Sequence, residues 1–258
     1  MDSILFEKQE SIAKITLNRP DKYNSFNRAM ALALQAQLDE CETDDSIRAI
    51  YLSGAGKAFS AGQDLGEVVA EDGPALTTIL TEHYNPIITR LRAIEKPVVA
   101  AVNGVAAGAG ANIALACDVV VATASASFIQ AFSKIGLIPD SGGTFFLPRL
   151  IGYQKATALM MLGDKVSAEE AERMGVIYKY FPDQDFPQES WKLAEKLSKM
   201  PTVGLGLTKR ALNHSLENDL QQQLALEDQL QSAAGKTEDY AEGVQAFLEK
   251  RRPEFKGR

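Results

Sequence analysis

PVVAAVNGVAAGAGAN, Pro97 to Asn112, runs from an apolar β-type segment straight into a turn built of glycine and alanine. An earlier stretch echoes it: AIYLS (Ala49–Ser53), then GAGKA, then FSAGQDL (Phe59–Leu65). Small side chains let a ligand press against main-chain N–H groups, because no bulky Cβ substituent keeps it away. Two such turns brought together would aim two donors at one oxygen, which is the geometry of an oxyanion hole and suits a carbonyl becoming an enolate. The candidate donors are the N–H groups of Gln63 and Ala109. A single turn of this kind is explained as well by close packing of strand on helix. Two in matched context, one of them opening a helix whose N-terminal dipole favours negative charge, shift the balance to function.

Outward from these turns, Ser11–Asn18 reads as a strand closed by Arg19-Pro20-Asp21, and Asn27 to Glu42 has helical spacing with Met30, Leu34 and Leu38 on one face. Ile47–Ser53 reads as a strand, Glu67–Gly73 as a mobile loop, and Thr77–Ile94 as one helix stopped before Lys96-Pro97. Strand Val98–Val102, a short helix over Gly110–Cys117 and a β-branched strand over Asp118–Thr123 follow. The recurrence of strand, turn and helix predicts an α/β fold of stacked ββα units, not a doubly wound sheet. No GxGxxG opens a helix and no Walker lysine is present. Ser167-Ala-Glu-Glu170 reads as a capping box whose helix ends at Gly175. Helices over Glu189–Lys199, Val203–Ser215, Leu220–Ala234 and Tyr240–Lys250 then dominate. The expected organisation is a core over residues 1–197 and a helical, oligomer-forming region over 198–258.

With 258 residues, 45% hydrophobic and 24% charged, the chain has the composition of a soluble globular protein. Its net charge of −7 argues against nucleic acid or an anionic membrane as the main partner. Cys41 and Cys117 are too few for a disulfide scaffold or a metal site, and read as buried thiols in a reducing compartment. MDSILFEKQE lacks the apolar run of a signal peptide. Pro97–Cys117 carries no charge, but its Gly and Asn residues fit a buried strand–turn–helix better than a membrane span. A cytoplasmic location is the expectation.

Asp140 lies in KIGLIPDSGGTFFLPRL (Lys134–Leu150), between a proline and a Ser-Gly-Gly turn. One reading makes it a turn cap accepting from the N–H of Gly142 or Gly143. The other makes it a general base, its pKa raised by Phe132, Ile135, Leu137 and Ile138. Asp64 reads as an N-cap. His83 and His214 have no carboxylate or Cys at ligand spacing, and neither Ser60 nor Ser141 has a base or a nucleophile elbow.

FSAGQDL, NGVAAGAGANIALACD (Asn103–Asp118), GLIPDSGGTFFLPRLIG (Gly136–Gly152) and SAEEAERMGVI (Ser167–Ile177) together resemble the crotonase, or enoyl-CoA hydratase/isomerase, superfamily. The resemblance runs from about Ile4 to the C-terminus. It implies a crotonase-type spiral of ββα units with a C-terminal helical region, homotrimers that pair into hexamers, and an acyl-CoA thioester whose oxygen sits between the N–H groups of Gln63 and Ala109. By the same resemblance, Lys22, Asn24, Ala61, Asp64 and Leu65 line the adenine and pantetheine path, and Phe132 shapes the acyl pocket. Phe247 and Lys250 are expected to touch CoA phosphates from their own or an adjoining subunit; solvated lysines are the alternative for Lys22 and Lys250. No metal or redox cofactor is implied, coenzyme A being part of the substrate.

The superfamily's hydratases use two glutamates, whose positions fall here on Asn112 and Phe132. Asp140 instead matches the carboxylate of several isomerases. AFSKIGLIPDSGGT (Ala131–Thr144) looks especially like the branch that isomerises ring-epoxidised phenylacetyl-CoA thioesters and is associated with Δ3/Δ2 enoyl-CoA isomerisation. Simple Δ3/Δ2 isomerisation and hydration with an unusual acid–base set stay open. Halogen-displacing members place a histidine where Asn85 stands and a tryptophan where Phe132 stands, which disfavours that chemistry. A non-catalytic, RNA-binding or scaffold role is the reading from another class; the Thr77–Ile94 segment, with only Arg90 and Arg92 as basic residues, does not favour it.

Overall fold

The computed structural model describes residues 2–258 and resolves the repeat into a spiral. Strands β1 (Ile4–Gln9) and β2 (Ile12–Leu17) form an antiparallel hairpin in which Ile4 faces Leu17. Helix α1 (Arg28–Thr43) follows, capped by the Asn27 side chain accepting from Met30 N at 3.0 Å. The next two strands are β3 (Ala49–Gly54) and β4 (Ala58–Ser60). Two short turns of helix come next, α2 (Leu65–Val68) and α3 (Leu76–Thr78), then a π-helical segment over Ile79–Tyr84 and α4 (Asn85–Ala93).

The second winding is β5 (Val98–Val102), β6 (Val105–Ala107) and α5 (Ala109–Leu115). The third is β7 (Val119–Thr123), β8 (Ser127–Ile129), a 3-10 turn over Ala131–Ile135, and helices α6 (Gly143–Ile151) and α7 (Tyr153–Leu162). After β9 (Lys165–Ser167), α8 (Ala168–Met174) and β10 (Lys179–Phe181), the chain is helical: α9 (Phe186–Ser198), α10 (Thr202–His214), α11 (Leu220–Ala234) and α12 (Glu238–Glu249).

Each winding sends its first strand to a six-stranded sheet, ordered β1-β2-β3-β5-β7-β10, and its second to a four-stranded sheet, ordered β4-β6-β8-β9. The β3–β5 and β5–β7 pairs are parallel, as crossover connections require. Because β5 is sandwiched, all of Val98–Val102 is buried, and it reads as a continuous apolar run without alternation. One face of the large sheet packs on α1, α4 and α5 through Leu34, Leu38, Ile50, Leu52, Leu91 and Ile113. The other face is covered by α9, where Trp191 stacks edge-on against Tyr51 at 5.2 Å and Ser190 Oγ lies 2.9 Å from the Tyr51 hydroxyl.

The sequence reading needs several corrections. Thr77–Ile94 is not one α-helix: Pro86 lacks an N–H, and the backbone enters it through a wider π-helical turn. The hairpin strand β1 and the short strands β4, β6, β8, β9 and β10 were not expected. Ser167 caps α8 by accepting from Glu170 N, but Glu170 turns its carboxylate to Arg173, so the reciprocal half of the box is absent. A complete capping box occurs instead at Asp219 and Gln222. Helix α10 is fastened to the core where the Lys209 ammonium, 6% exposed, meets Asp118 at 2.8 Å and Arg92 bonds Asn213. Among the described residues no helix is long and apolar enough to cross a membrane.

Candidate active site

The two small-residue turns abut. A Cβ placed on Gly62 would lie 2.9 Å from Ala107 O and 3.4 Å from Ala109 N, so only glycine, at φ +88°, allows this approach. Gly108, at φ 52° and ψ −128°, turns the chain from β6 into α5 and leaves Ala109 N as the first amide of a helix, where no intrahelical acceptor exists. Gln63 N is free for a different reason. The strand-like bridge from Phe26 uses Gly62 O and Asp64 N, at 2.7 and 2.8 Å, and steps over Gln63. Among the described residues neither N–H donates a main-chain hydrogen bond, and both residues line one cavity of about 620 Å3.

That cavity is walled by Leu65, Val68, Leu76, Ile79, Leu80, Phe132, Ile135, Leu137 and Ile138. Asp140 is its only carboxylate among the described residues; Tyr84 and Lys134 are the other titratable groups on its wall. The turn-cap reading of Asp140 fails for the side chain. Gly143 N donates to the Asp140 main-chain oxygen at 2.8 Å, and the carboxylate takes only the Ser141 hydroxyl, at 2.9 Å on Oδ1. Burial pushes the carboxyl up to about 6, opposed by the Ser141 hydrogen bond. Ser141 itself sits at φ +51°, a costly conformation for a residue with a Cβ, held by the Asp140–Gly143 turn.

Tyr84 is a cavity residue that the sequence reading missed. It is fully buried, stacks edge-on against Phe26 at 5.9 Å, and donates its hydroxyl to Gln63 Oε1 at 2.9 Å. Burial, reinforced by the charges of Asp140 and Glu67, raises its pKa and keeps the phenol neutral. Gln63 Nε2 in turn donates to Glu67 Oε2 at 3.1 Å, so the first turn is tied to α2 and to the π-helical segment together. In the sequence Tyr84 falls on the same face as Ile87 and Leu91, where it reads as ordinary core.

The remaining predicted contacts divide. Ala61, Leu65 and Phe132 border the cavity. Phe132 lies against the second turn, within 3.7 Å of where a Gly108 Cβ would stand. Asp64 caps α2 through Gly66 N, as expected, and forms an ion pair with Arg19 at 2.8 Å. Burial alone would raise the Asp64 carboxyl, but the Arg19 hydrogen bond and charge, with Gly66 N–H and the Lys22 charge, hold it below its ordinary value. Lys22 closes an exposed 3-10 turn beside that pair. Asn24 is corrected: its amide bonds Ala55 O and Ala58 O and accepts from Arg19 N, and with no exposed surface it braces the first turn from behind. Phe247, 82% exposed, and Lys250 lie on and just after α12, away from the cavity of their own chain.

Asn112 and Phe132, at the positions the resemblance assigns to hydratase glutamates, carry no proton to transfer at this site. Asn112 is buried in hydrogen bonds to Gln130 and to the Asp140 carbonyl, and Phe132 is apolar wall. Among the described residues His83 is buried with neither ring nitrogen bonded; burial lowers its pKa, and it does not border the cavity. Two unpartnered amides and one raised carboxyl on the wall of one cavity can hold an anionic oxygen and move a proton nearby.

Comparison with known proteins agrees with this architecture. The Enoyl-CoA hydratase/isomerase family profile matches residues 7–258. The chain is 47% identical to the 1,2-epoxyphenylacetyl-CoA isomerase of Escherichia coli, over 100% of both chains. It is 48% identical to a Rhodobacter capsulatus protein named "Probable enoyl-CoA hydratase", over 99% of this chain and 98% of that one. The solved enoyl-CoA hydratase of Bacillus anthracis superposes with a TM-score of 0.92 at 34% identity, covering 99% of this chain and 100% of its own. The fold is that of the crotonases. The chain belongs to the enoyl-CoA hydratase/isomerase family and is an enzyme of that family.

Proposed function

We propose that the protein is an acyl-CoA isomerase that works through a thioester enolate. The observation that carries this reading is the lone carboxylate, Asp140, with a pKa raised to about 6, in a cavity that also holds two free amides. The thioester oxygen sits between Gln63 N–H and Ala109 N–H; as C2 loses its proton, negative charge gathers on that oxygen and both hydrogen bonds strengthen. One such donor is worth about 2.7–4 kcal/mol to a transition state of this kind. Asp140 takes the C2 proton and returns it elsewhere on the same substrate. A base with a pKa near 6 is ionised at neutral pH yet still gives its proton back readily.

The substrate we assign is 2-(1,2-epoxy-1,2-dihydrophenyl)acetyl-CoA of phenylacetate degradation. The C–C bond between the two epoxide carbons breaks while both C–O bonds are kept, so the ring expands to an oxepin; the proton that Asp140 takes from C2 returns to a ring carbon, and the product is an isomer. Support comes from the Escherichia coli isomerase at 47% identity and from an apolar cavity whose wall includes Phe132, Leu137 and Ile138. Δ3/Δ2 isomerisation of an enoyl-CoA uses the same groups, with Asp140 carrying hydrogen from C2 to C4. Hydration is the second reading, favoured by the relative named a hydratase at 48% identity. It needs a group to activate water, and Asp140 would have to serve alone.

The CoA chain is read as leaving past Ala61 and Leu65 toward Lys22 and Asp64. The exposed apolar residues of α11 and α12, Leu224, Val244, Phe247 and Leu248, support a homotrimer or a hexamer, in which Phe247 and Lys250 reach a neighbour's CoA. No further cofactor enters the scheme, and the two buried thiols fit a cytoplasmic enzyme. Incubation with phenylacetyl-CoA epoxide, a Δ3-enoyl-CoA and crotonyl-CoA in parallel decides the reaction. Isomerised epoxide or Δ2-enoyl product is expected; preferential hydration of crotonyl-CoA overturns the assignment.

A further inference from the structure

We infer that Gln130 is a positioning residue, which acts through Asn112 to hold the loop bearing Asp140 at a fixed place relative to the second oxyanion amide. This deepens the proposed function and rests on Asp140 being its base.

The chain of contacts is short and largely buried. Gln130 Nε2 donates to Asn112 Oδ1 at 2.8 Å, and Asn112 Nδ2 donates to the Asp140 main-chain oxygen at 2.8 Å. Asn112 has no exposed surface and Gln130 only 5%. The first hydrogen bond fixes the second: with its oxygen occupied by a donor, the Asn112 amide can present only its NH2 side to the loop, where the partner must be an acceptor. The Asp140 carbonyl is that acceptor, and it simultaneously closes the turn to Gly143 N. A Cβ at Gly143 would collide with the Asn112 amide, so the approach of α6 to α5 is built around this contact.

Three segments meet here, and each carries part of the site. Asn112 lies one turn after Ala109 on α5, the helix whose first amide faces the thioester oxygen. Gln130 follows β8 directly, next to Ile129, whose carbonyl accepts from Gly108 N at 2.9 Å. The same β8 end therefore holds the second turn by its backbone and the base loop by a side-chain relay. The loop needs such a hold, because Ser141 is kept in the left-handed region directly beside the base.

Gln130 also carries a cost. Its Oε1 is buried with no hydrogen-bond partner among the described residues, and Gln130 borders a small cavity lined mostly by apolar side chains, Ala111, Leu115, Phe128, Leu147 and Val166 among them, with Asp164. An apolar side chain of similar length would avoid this orphaned oxygen but would leave Asn112 Oδ1 without its donor. A residue that is imperfect for stability but supplies one donor to one amide is what a positioning role requires.

The test is proton exchange at C2, followed by mass spectrometry of phenylacetyl-CoA in D2O. It needs only the amides and the base: Asp140 takes a proton from C2 and solvent deuterium returns to the same carbon. Gln130→Met keeps the length and removes both the donor and the orphaned oxygen. Exchange kcat is expected to fall between about tenfold and a hundredfold, with KM within about twofold and the melting temperature little changed, because the orphaned Gln130 oxygen is exchanged for an unpaired Asn112 Oδ1. The acid limb of the pH profile should move toward the ordinary carboxylate range as the base loop loosens. Asn112→Ala should give the same loss, and the double variant no more than Asn112→Ala alone, because both residues act on one contact. Equal rates and an unshifted pH midpoint in a folded Gln130→Met protein overturn the inference and leave the proposed function standing; so do additive losses in the double variant. If Gln130→Met does not fold, Asn112→Ala at wild-type exchange rate overturns it instead. No exchange by the wild-type enzyme overturns the enolate reading, and this inference with it.

Discussion

The two turns that offer amides to the cavity are similar in sequence and held by different means. Ala109 is fixed by backbone: a glycine at φ 52° sets it as the first residue of a buried helix, and Gly108 N is anchored to β8. Gln63 is held by backbone bonds from Phe26 on either side of it and, in addition, by side chains: Tyr84 and Glu67 on its side-chain amide, Asn24 behind the turn, and the Arg19–Asp64 pair beside it. A donor set by helix geometry tolerates little change around it, because neighbouring main-chain atoms leave no room. A donor set by several side chains should weaken in steps as each is removed.

The largest effect is therefore expected on the helical side. A Cβ at Gly110 would stand 2.5 Å from Ser60 O and 2.6 Å from Ser60 Cβ, so Gly110→Ala must push α5 away from the first turn. Loss of about 2.7–4 kcal/mol in kcat/KM, the value of one oxyanion donor, is expected. Near-normal turnover in that variant would show that the separation of the two turns does not matter.

Asp140 belongs to neither turn, and its effect on stability has the opposite sign to its effect on rate. Its folded pKa of about 6 lies above the unfolded carboxylate value, so stability is fully present below the unfolded pKa and is lost as pH rises from there through about 6. Asp140→Asn should accordingly raise unfolding stability at pH 8 by about 1–3 kcal/mol, with the gain vanishing toward pH 4. Wild-type catalysis should fall on acidification through about pH 6, as the base takes up its proton. Urea melts at both pH values and a pH–rate profile read these out; a destabilised Asn variant at pH 8 would mean the carboxylate is better solvated than its burial implies.

On the side-chain-held turn, Tyr84→Phe keeps the ring packed on Phe26 and removes only the hydroxyl bond to Gln63. A loss of about 0.5–1.5 kcal/mol in kcat/KM is expected. A loss as large as that of Gly110→Ala would make the two turns equally rigid and remove the distinction. The smallest effect is assigned to Asp64→Asn, which retains the cap on Gly66 N but gives up the ion pair with Arg19. Thermal melts should detect about 0.2–1 kcal/mol, and kcat/KM should fall by less than in Tyr84→Phe.

Much of this site was legible because small residues and a Pro-Asp-Ser-Gly-Gly turn are local signals. Gln63, Ala109 and Asp140 needed only to be brought together, and the spiral does so. What escaped reading was tertiary. Tyr84 looks like core because it is core; its hydroxyl matters only once Gln63 is beside it. Gln130 follows a strand too short to show a period, and its partner is set by the winding of α5. The three-residue strands β4, β6, β8, β9 and β10 escaped for the same reason: so few residues do not alternate measurably. Asn24 misled in the other direction. A family position suggested ligand contact, whereas three hydrogen bonds commit its side chain to the protein.

The most direct measurement is turnover of a Δ3-enoyl-CoA and of phenylacetyl-CoA epoxide by Asp140→Asn, alongside calorimetric binding of a CoA thioester to the same protein. Turnover of both should fall by about 10²–10⁴-fold, the usual worth of a placed general base, while the thioester binds as it does to wild type. Isomerisation of either substrate at the wild-type rate would contradict the account and remove Asp140 from the chemistry.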